Sequence, residues 1–356
     1  MLPYATAAEA EAAVGRGMTW AEAAWFRYSA AMPDYCLYCH NVPILLVVYT
    51  LAPLPLALLE LRRRHLLLPH KLQPGVRHPA SAFLRCYAAT ARVLLLAVGP
   101  VQLVSYPAVR AVGIRTGLPL PAAWETVAQL AVYLLVEDYL GYWIHRLLHT
   151  RWAYHNIHRV HHEFTAPMGY AAPYAHWAEI LILGFPAFAG PAIVPCHMTT
   201  LWLWFVLRHL EAIHIHSGFK LPFNPTKYIP FYGGVEYHDY HHFVGGHSQS
   251  NFSSVFTFCD YIYGTDRGYR YHKASLAKLK EMAGNHVEKG DENGFGSGKQ
   301  DYYSQVSRLS GIYELEDIQY YNICHNISPF PYLFKLVLVI DGFRNSSSLH
   351  IGASSM

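Results

Sequence analysis

The sequence predicts an all-α integral membrane protein: a helical transmembrane bundle with a histidine-rich cap on its cytoplasmic face. Of the 356 residues, 53% are hydrophobic and only 14% are charged, against about 25% charged in a typical soluble domain. Aromatic residues make up 15% of the chain, as in proteins whose Trp and Tyr collect at membrane interfaces. A formal net charge of +3 is too small to indicate a nucleic acid partner.

Residues 1–40 are expected to form an N-terminal amphipathic segment. They do not resemble a secretory signal, because Glu9 and Glu11 stand where an apolar region should be. The string from Cys36 to His40 matches the C-x-x-C-H pattern of c-type haem attachment. Because such haems normally belong to soluble electron carriers, we interpret this string as a chance match.

Residues 41–122 are predicted to form a first transmembrane hairpin. About twenty mostly apolar residues follow Asn41 and end at Glu60, which is enough to cross a bilayer core. Three arginines, at 62–64, then place the following loop on the cytoplasmic side. A second span is predicted over Ala82 to Val109, and proline and glycine residues mark the turn beyond it.

Residues 123–275 are predicted to form the catalytic domain, with a third span at 124–149 and a helical hairpin. The apolar stretch from Trp177 to Ile213 is interrupted by glycine and proline near its middle, so one straight helix is not expected. A hairpin that enters near 178 and returns near 210 would leave every histidine-rich segment on the same, cytoplasmic face.

Histidines carry the main functional signal. Of the 23 in the chain, 15 lie between His145 and His247. They fall into three motifs, H-x-x-x-H once and H-x-x-H-H twice, whose spacings place side chains on one helical face. The members are His145, His149, His158, His161, His162, His238, His241 and His242. A basic surface patch that binds lipid phosphates would explain the histidines of the second motif. It would also predict lysine and arginine around the third motif, where the chain instead has Glu236 and Asp239.

Eight or more histidines exceed what one metal ion can bind, since an ion takes about four to six ligands. Two ions sharing a site are therefore predicted, and redox-active iron near a bilayer indicates oxygen activation directed at a lipid C–H bond. Nearby acids are either solvated helix ends or acceptors for the second ring N–H of a ligand histidine. These acids are Glu137, Asp138, Glu163, Glu179, Glu236 and Asp239.

These motifs, embedded in membrane spans, resemble those of the fatty acid hydroxylase and sterol desaturase superfamily of non-haem di-iron membrane enzymes. The segments around them, such as "HRVHHEFTAPMGYAAPYAHWAE" and "GGVEYHDYHH", resemble the plant sterol C4-methyl oxidases of the 4,4-dimethylsterol type. The resemblance covers roughly residues 25–275. It implies a multi-pass protein of the endoplasmic reticulum membrane, with its metal site facing the cytoplasm.

The resemblance also implies a reaction and its partners. The 4α-methyl group of a 4,4-dimethyl sterol would be oxidised stepwise to alcohol, aldehyde and carboxylate. Dioxygen is the oxidant, and electrons come from NADH through cytochrome b5 and its reductase. A separate C4-decarboxylating sterol dehydrogenase would then act on the carboxylate.

The resemblance adds His216 as a ninth metal ligand, through its H-S-G motif, and His176 as a ligand or as a residue that supports one. His214 occupies a position that is usually acidic in the family, so we leave it out of the ligand set. The ranges 164–177 and 219–232 are expected to line the approach of the sterol.

Other functions remain open from the histidine motifs alone. A related fatty acid hydroxylase, a sterol desaturase or an aldehyde-processing enzyme would carry the same motifs. A non-enzymatic metal-binding membrane protein or transporter is less consistent, because transporters place ionisable residues inside their spans. Towards the C-terminus, residues 276–300 are predicted to be a polar disordered tail, and residues 301–356 an atypical extension to which we assign no role.

Overall fold

The computed structural model describes residues 4–245 and 249–288, and within these ranges all regular elements are helical, which confirms the predicted all-α class. The α-helices are α1 (Ala7–Val14), α2 (Trp20–Ser29), α3 (Asp34–Cys39), α4 (Asn41–Leu51), α5 (Leu54–Arg62), α6 (Arg64–Leu67), α7 (Ala80–Val93), α8 (Gly99–Val112), α9 (Ala123–Leu148), α10 (Arg151–Asn156), α11 (Trp177–Ile193), α12 (Met198–Ile215), α13 (Gly234–Val244), α14 (Phe258–Tyr263) and α15 (Arg267–Glu288). Short 3₁₀ segments lie between them, notably at His158–Glu163.

Two helical stretches of the described residues are long and apolar enough to cross a membrane, Asp34–Arg62 and Ala80–Val112. They correspond to the two predicted spans of the first hairpin. Pro53 marks the junction of α4 and α5 in the first stretch, and a turn of π-helix at Leu94–Val98 joins α7 to α8 in the second. Helical stretches of this length and composition fit a membrane protein.

Helix α9 occupies the position of the predicted third span, but it is less apolar than those two stretches. Its inner face carries the buried carboxyl groups of Glu137 and Asp138. Glu137 pairs with Arg208 of α12 at 2.7 Å. Asp138 accepts hydrogen bonds from the backbone N–H groups of Val255 and Phe256 at 2.9 and 3.2 Å. This helix is therefore fixed to its neighbours by polar contacts as well as by packing.

The predicted helical hairpin is formed by α11 and α12, and the chain turns at 194–197, around Pro195. The glycines and prolines from 184 to 191 lie inside α11. Gly190 lies inside α11, against Tyr133 of α9. A Cβ atom at Gly190 would lie 2.7 Å from the Cα of Tyr133. This glycine therefore permits close packing of α11 on α9 where the sequence had indicated a break.

The predicted disordered tail begins too early. Helix α15 continues to Glu288, so residues 276–288 are helical. Alanine, leucine, lysine and glutamate are common in this stretch and are strong helix formers, which the polarity of the segment had obscured. Residues 289–300 and the predicted extension at 301–356 lie outside the described residues.

Candidate metal centre

Nine buried histidines form two groups at the ends of α9 and α12, between the 3₁₀ segment and α13. In each group, one ring nitrogen from every member lies within 4.8 Å of the others. The first group contains His145, His149, His158, His162 and His241, and the second contains His161, His216, His238 and His242. The structure thus brings together all nine histidines that the sequence analysis put forward as ligands.

Each H-x-x-H-H motif is divided between the two groups. His158 and His162 belong to the first group, while His161 between them belongs to the second. The other motif does the reverse, because His238 and His242 belong to the second group and His241 to the first. The sequence analysis had placed each motif on one helical face. The structure instead interleaves the two motifs, so that both contribute to both groups.

Hydrogen bonds fix the ring orientation of several of these histidines through Nδ1. His145 Nδ1 faces the carbonyl oxygen of Phe252 at 2.7 Å, and His241 Nδ1 faces that of Ser250 at 2.7 Å. Since a carbonyl oxygen can only accept, each Nδ1 carries the proton. The Nε2 atom of each ring is then left with a lone pair that points into the group.

The Nε2 atoms approach one another closely. His158 Nε2 lies 3.2 Å from His145 Nε2, and 3.1 Å from the Nε2 atoms of both His149 and His162. In the second group, His216 Nε2 lies 2.8 Å from His238 Nε2. Lone pairs facing each other at this range repel unless they share a cation. Two nitrogens bound at right angles to one ion, each at about 2.1 Å, would lie about 3.0 Å apart. The donor set therefore fits bound metal.

The histidines in the 3₁₀ segment and in α13 are held in their neutral form. Burial, followed by the proximity of other rings, lowers the pKa of these side chains well below the usual value of about 6.5. The six residues are His158, His161, His162, His238, His241 and His242. Neutral imidazole is the form that binds transition metals.

One of the six acids considered in the sequence analysis contacts a histidine of the centre. The Nδ1 of His158 donates to Oε1 of Glu179 at 2.9 Å, and both side chains are buried. The others make different contacts in the described part of the chain. For example, Glu163 pairs with Arg85 and Glu236 pairs with Lys220. Glu179 is therefore the acid that orients a candidate ligand.

His176 and His214 belong to neither group. His176 is the N-cap residue of α11, where its Nδ1 accepts from the backbone N–H of Ala178 at 3.3 Å. His214 Nδ1 lies 3.2 Å from the hydroxyl of Tyr232. His216, two residues further along, points into the second group, so the structure separates these two neighbours as the sequence analysis did.

The segment 249–257 supplies the carbonyl groups of Ser250 and Phe252, and the side-chain motifs did not predict this role. This segment is held by Asp260, whose two carboxylate oxygens accept from the backbone N–H groups of Phe252 and Ser253 at 2.9 Å. Backbone carbonyls leave no mark in a sequence. The buried Asp260 was the available signal, since a carboxyl group in an apolar stretch requires partners.

An apolar cavity of about 560 Å³ leads from the membrane helices to both histidine groups. Residues of α8, α9, α11 and α12 form most of its wall, and His145, His158, His161, His216 and His238 line one end. Of the ranges predicted to line the approach, 164–177 contributes Ala172, Pro173 and Ala175. The range 219–232 does not line this cavity, and its Phe223 is 85% exposed.

A helical membrane protein whose apolar cavity ends at buried, histidine-only metal sites is typical of membrane-bound metal-dependent oxidoreductases. The model of the fatty acid hydroxylase family matches residues 130–265. The chain belongs to this family, which the relatives described next also show.

Curated relatives refine the assignment. "Very-long-chain aldehyde decarbonylase GL1-10" of Oryza sativa subsp. japonica is 66% identical over 85% of this chain and 100% of the relative. "Methylsterol monooxygenase 1-1" of Arabidopsis thaliana is 58% identical over 80% of this chain and 96% of the relative. "Methylsterol monooxygenase 2-2" of the same plant is 41% identical over 73% and 96%. The resemblance to the sterol C4-methyl oxidases is thereby confirmed, and the chain is an oxidoreductase. No solved structure matches it.

Proposed function

We propose that this protein is a di-iron monooxygenase that oxidises the 4α-methyl group of 4,4-dimethyl sterols stepwise to alcohol, aldehyde and carboxylate. Dioxygen is the oxidant, and NADH supplies the electrons through cytochrome b5 and its reductase. The observation that carries the proposal is the pair of histidine groups at the end of an apolar cavity. The similarity to methylsterol monooxygenases supports the sterol as substrate.

The side chains have a limited and definite task in this reaction. An unactivated methyl group offers no acidic proton, so no side chain can act on it as a general base. The first group would hold one iron and the second group the other, and bound iron supplies the activation of dioxygen. Glu179 and the carbonyls of Ser250 and Phe252 keep the imidazole rings in place and fix their tautomers.

The cavity would bind and orient the sterol. Its volume of about 560 Å³ lies within the range of about 300–1,000 Å³ that is usual for small-molecule sites. Few polar groups interrupt the wall, among them the Glu137–Arg208 pair. An apolar wall excludes water from the histidine end, which protects the reaction from side reactions with solvent.

We also propose a location and an orientation. The protein would be a multi-pass protein of the endoplasmic reticulum membrane, with the histidine centre on the cytoplasmic side. The two apolar helical stretches support the membrane location, and Arg62, Arg63 and Arg64 support the orientation. In this orientation, cytochrome b5 and the C4-decarboxylating dehydrogenase would reach the protein from the face that carries the metal centre.

A second candidate is action on very-long-chain aldehydes. The observation that favours it is the 66% identity to the rice protein named for that activity. The same histidine groups would serve either substrate, and the apolar cavity does not distinguish them. A related fatty acid hydroxylase or sterol desaturase stays an alternative for the same reason.

Expression in a yeast strain that lacks its own C4-methyl oxidase tests the proposal. We expect growth to be restored and 4,4-dimethyl sterols to fall, as measured by mass spectrometry. The His241→Ala variant should lose bound iron and fail to rescue, whereas His155→Ala, which changes an exposed histidine of α10, should rescue. Continued accumulation of 4,4-dimethyl sterols with wild-type protein in the membrane would refute the proposal. Consumption of a supplied very-long-chain aldehyde by that protein would then favour the second candidate.

A further inference from the structure

The apolar cavity has an opening on the side of the helical bundle. Four residues both line the cavity and are exposed at the surface of the protein, and they identify this opening. Val101 and Ala108 belong to α8, while Phe185 and Ala192 belong to α11. Val101 is 44% exposed and Phe185 is 66% exposed. All other residues of the wall are buried or partly buried, so the opening lies along the seam between these two helices.

The four residues lie in two pairs, one on α8 and one on α11, and these two helices contact each other. The space between the two pairs is called the slot below. On each helix the two residues are seven positions apart, which places them two turns apart on one face. Two turns of helix rise by about 10 Å, and this gives the approximate length of the slot. Ala108 and Ala192 are small, as is Gly184 in the wall beside Phe185. The side chains along the seam are therefore mostly small, and Phe185 has the largest side chain at its edge.

The surface around the slot is apolar. Leu103 and Val104 flank it on α8, and Ile193 flanks it on α11, and all three are exposed. Helix α8 belongs to the stretch Ala80–Val112, which is apolar enough to cross a membrane. When this stretch crosses a bilayer, its exposed apolar side chains face lipid, and the opening between α8 and α11 would then face the hydrocarbon.

We propose that the slot between α8 and α11 is the entrance through which a lipid substrate passes sideways from the bilayer to the histidine centre. The inference rests on the proposed function, in that the lipid is taken to be the substrate. A molecule with a long, rigid apolar body would enter without crossing water, and its reacting end would move towards the histidines. Phe185 stands at the edge of the entrance, where its side chain limits the width of what can pass.

Bulky substitutions in the slot test this route. We expect Ala108→Trp and Ala192→Trp to lower kcat/KM for a 4,4-dimethyl sterol at least tenfold in lipid nanodiscs, with bound iron unchanged. The matched controls are Leu103→Trp and Ile193→Trp, which add similar bulk on the same helices outside the slot. The controls should stay within twofold of wild type. Equal activity of slot and control variants, at equal iron content, would overturn the proposal.

A second measurement does not depend on turnover. A benzophenone amino acid at position 185 of the full chain should photo-crosslink to bilayer lipid, and sterol added to the nanodisc should also be captured. Ala192→Trp should reduce sterol capture at least threefold, while Ile193→Trp should not. If no lipid adducts form, the proposal that the slot is a lipid entrance would be overturned, even if the enzyme is active. If the protein captures lipid and sterol at position 185 but does not oxidise the sterol, the result would support the slot as a lipid entrance and refute the proposed function.

Discussion

The two histidine groups are built from the same interleaved motifs, yet they are supported differently. In the first group, His145 and His241 donate to carbonyl oxygens at 2.7 Å, and His158 donates to the carboxylate of Glu179 at 2.9 Å. In the second, His216 donates to the carbonyl of Ala212 at 2.7 Å, but the contact of His161 with Tyr174 is longer, at 3.3 Å.

Each group also contains rings that are less constrained. The Nδ1 atoms of His238 and His242 in the second group, and of His162 in the first, are buried and have no hydrogen-bond partner in the part of the chain that the structure describes. The first group also has five members and the second only four. Ligands whose second nitrogen is fixed are better oriented and more basic. At least three of the five rings in the first group and two of the four in the second are anchored through Nδ1. We therefore expect the first group to hold an ion more tightly than the second, although both draw on the same sequence motifs.

The most damaging way to break the first group is to remove His158. Its Nε2 lies within 3.2 Å of three other ring nitrogens, so it is central to the group. We expect His158→Ala to reduce sterol oxidation by more than about a hundredfold, beyond the loss usual for supporting residues. Iron content should fall to at most one ion per chain. A variant that keeps two ions and near-normal activity would contradict the assigned role of His158.

A smaller effect is expected when only the support is removed. Glu179→Gln keeps the size of the side chain but replaces the carboxylate that accepts from His158. Loss of such a partner typically costs about 10- to 100-fold in metal affinity or activity. Iron titration and kcat would measure it. The matched control is Glu236→Gln, which alters an exposed acid paired with Lys220 and should have little effect. Equal effects of both substitutions would argue against a specific role for Glu179.

The difference between the groups can be measured directly with a chelator. Because the second group has fewer and less fixed donors, its ion should be removed first, and iron content should fall in two steps. The His238→Ala variant lacks one donor of that group and should retain about one ion from the start. Loss of both ions in a single step, at every chelator concentration, would show that the two sites are equivalent.

The smallest effect on activity is expected at His214, which lies two residues before the candidate ligand His216. His214→Asp changes a side chain that contacts Tyr232 and belongs to neither group, so activity should stay within about threefold of wild type. His216→Ala, two residues away, should abolish activity because it removes a donor of the four-membered group. Parallel complementation assays with both variants would check this contrast. Loss of activity in His214→Asp at normal iron content would give that position a role of its own.

Sequence spacing was informative where the contact depends on residues close in the chain. His145 and His149 meet because they are four apart on a helix, and the same spacing identified the other two motifs. The division of each H-x-x-H-H motif between the two groups could not be anticipated from spacing, because it depends on which distant ring each histidine meets. It occurs in the α-helix α13 as well as in the 3₁₀ segment at 158–163. The supporting carbonyls at Ser250 and Phe252 belong to a distant irregular segment, which side-chain patterns do not describe.

The apolar helices show the same contrast between features set by local sequence and features set by distant packing partners. Apolarity and length predicted two long apolar helical stretches, and the structure has them at Asp34–Arg62 and Ala80–Val112. The helical hairpin was predicted as well, and its turn at 194–197 contains Pro195, one of the residues expected to interrupt the helix. Gly190, another of those residues, lies inside α11. Its actual reason is the backbone of Tyr133 opposite it, and a packing partner that lies far away in the chain cannot be read from the glycine itself.

The interleaving of the two H-x-x-H-H motifs has a consequence for how the protein is maintained in a cell. Because each motif contributes histidines to both groups, a pair of bound ions would cross-link two segments that lie about eighty residues apart in the chain. Without metal, buried rings with facing lone pairs repel, so assembly of the cap and metal loading become one step. Iron shortage should therefore reduce the amount of folded protein, and not merely the activity of a folded apoprotein.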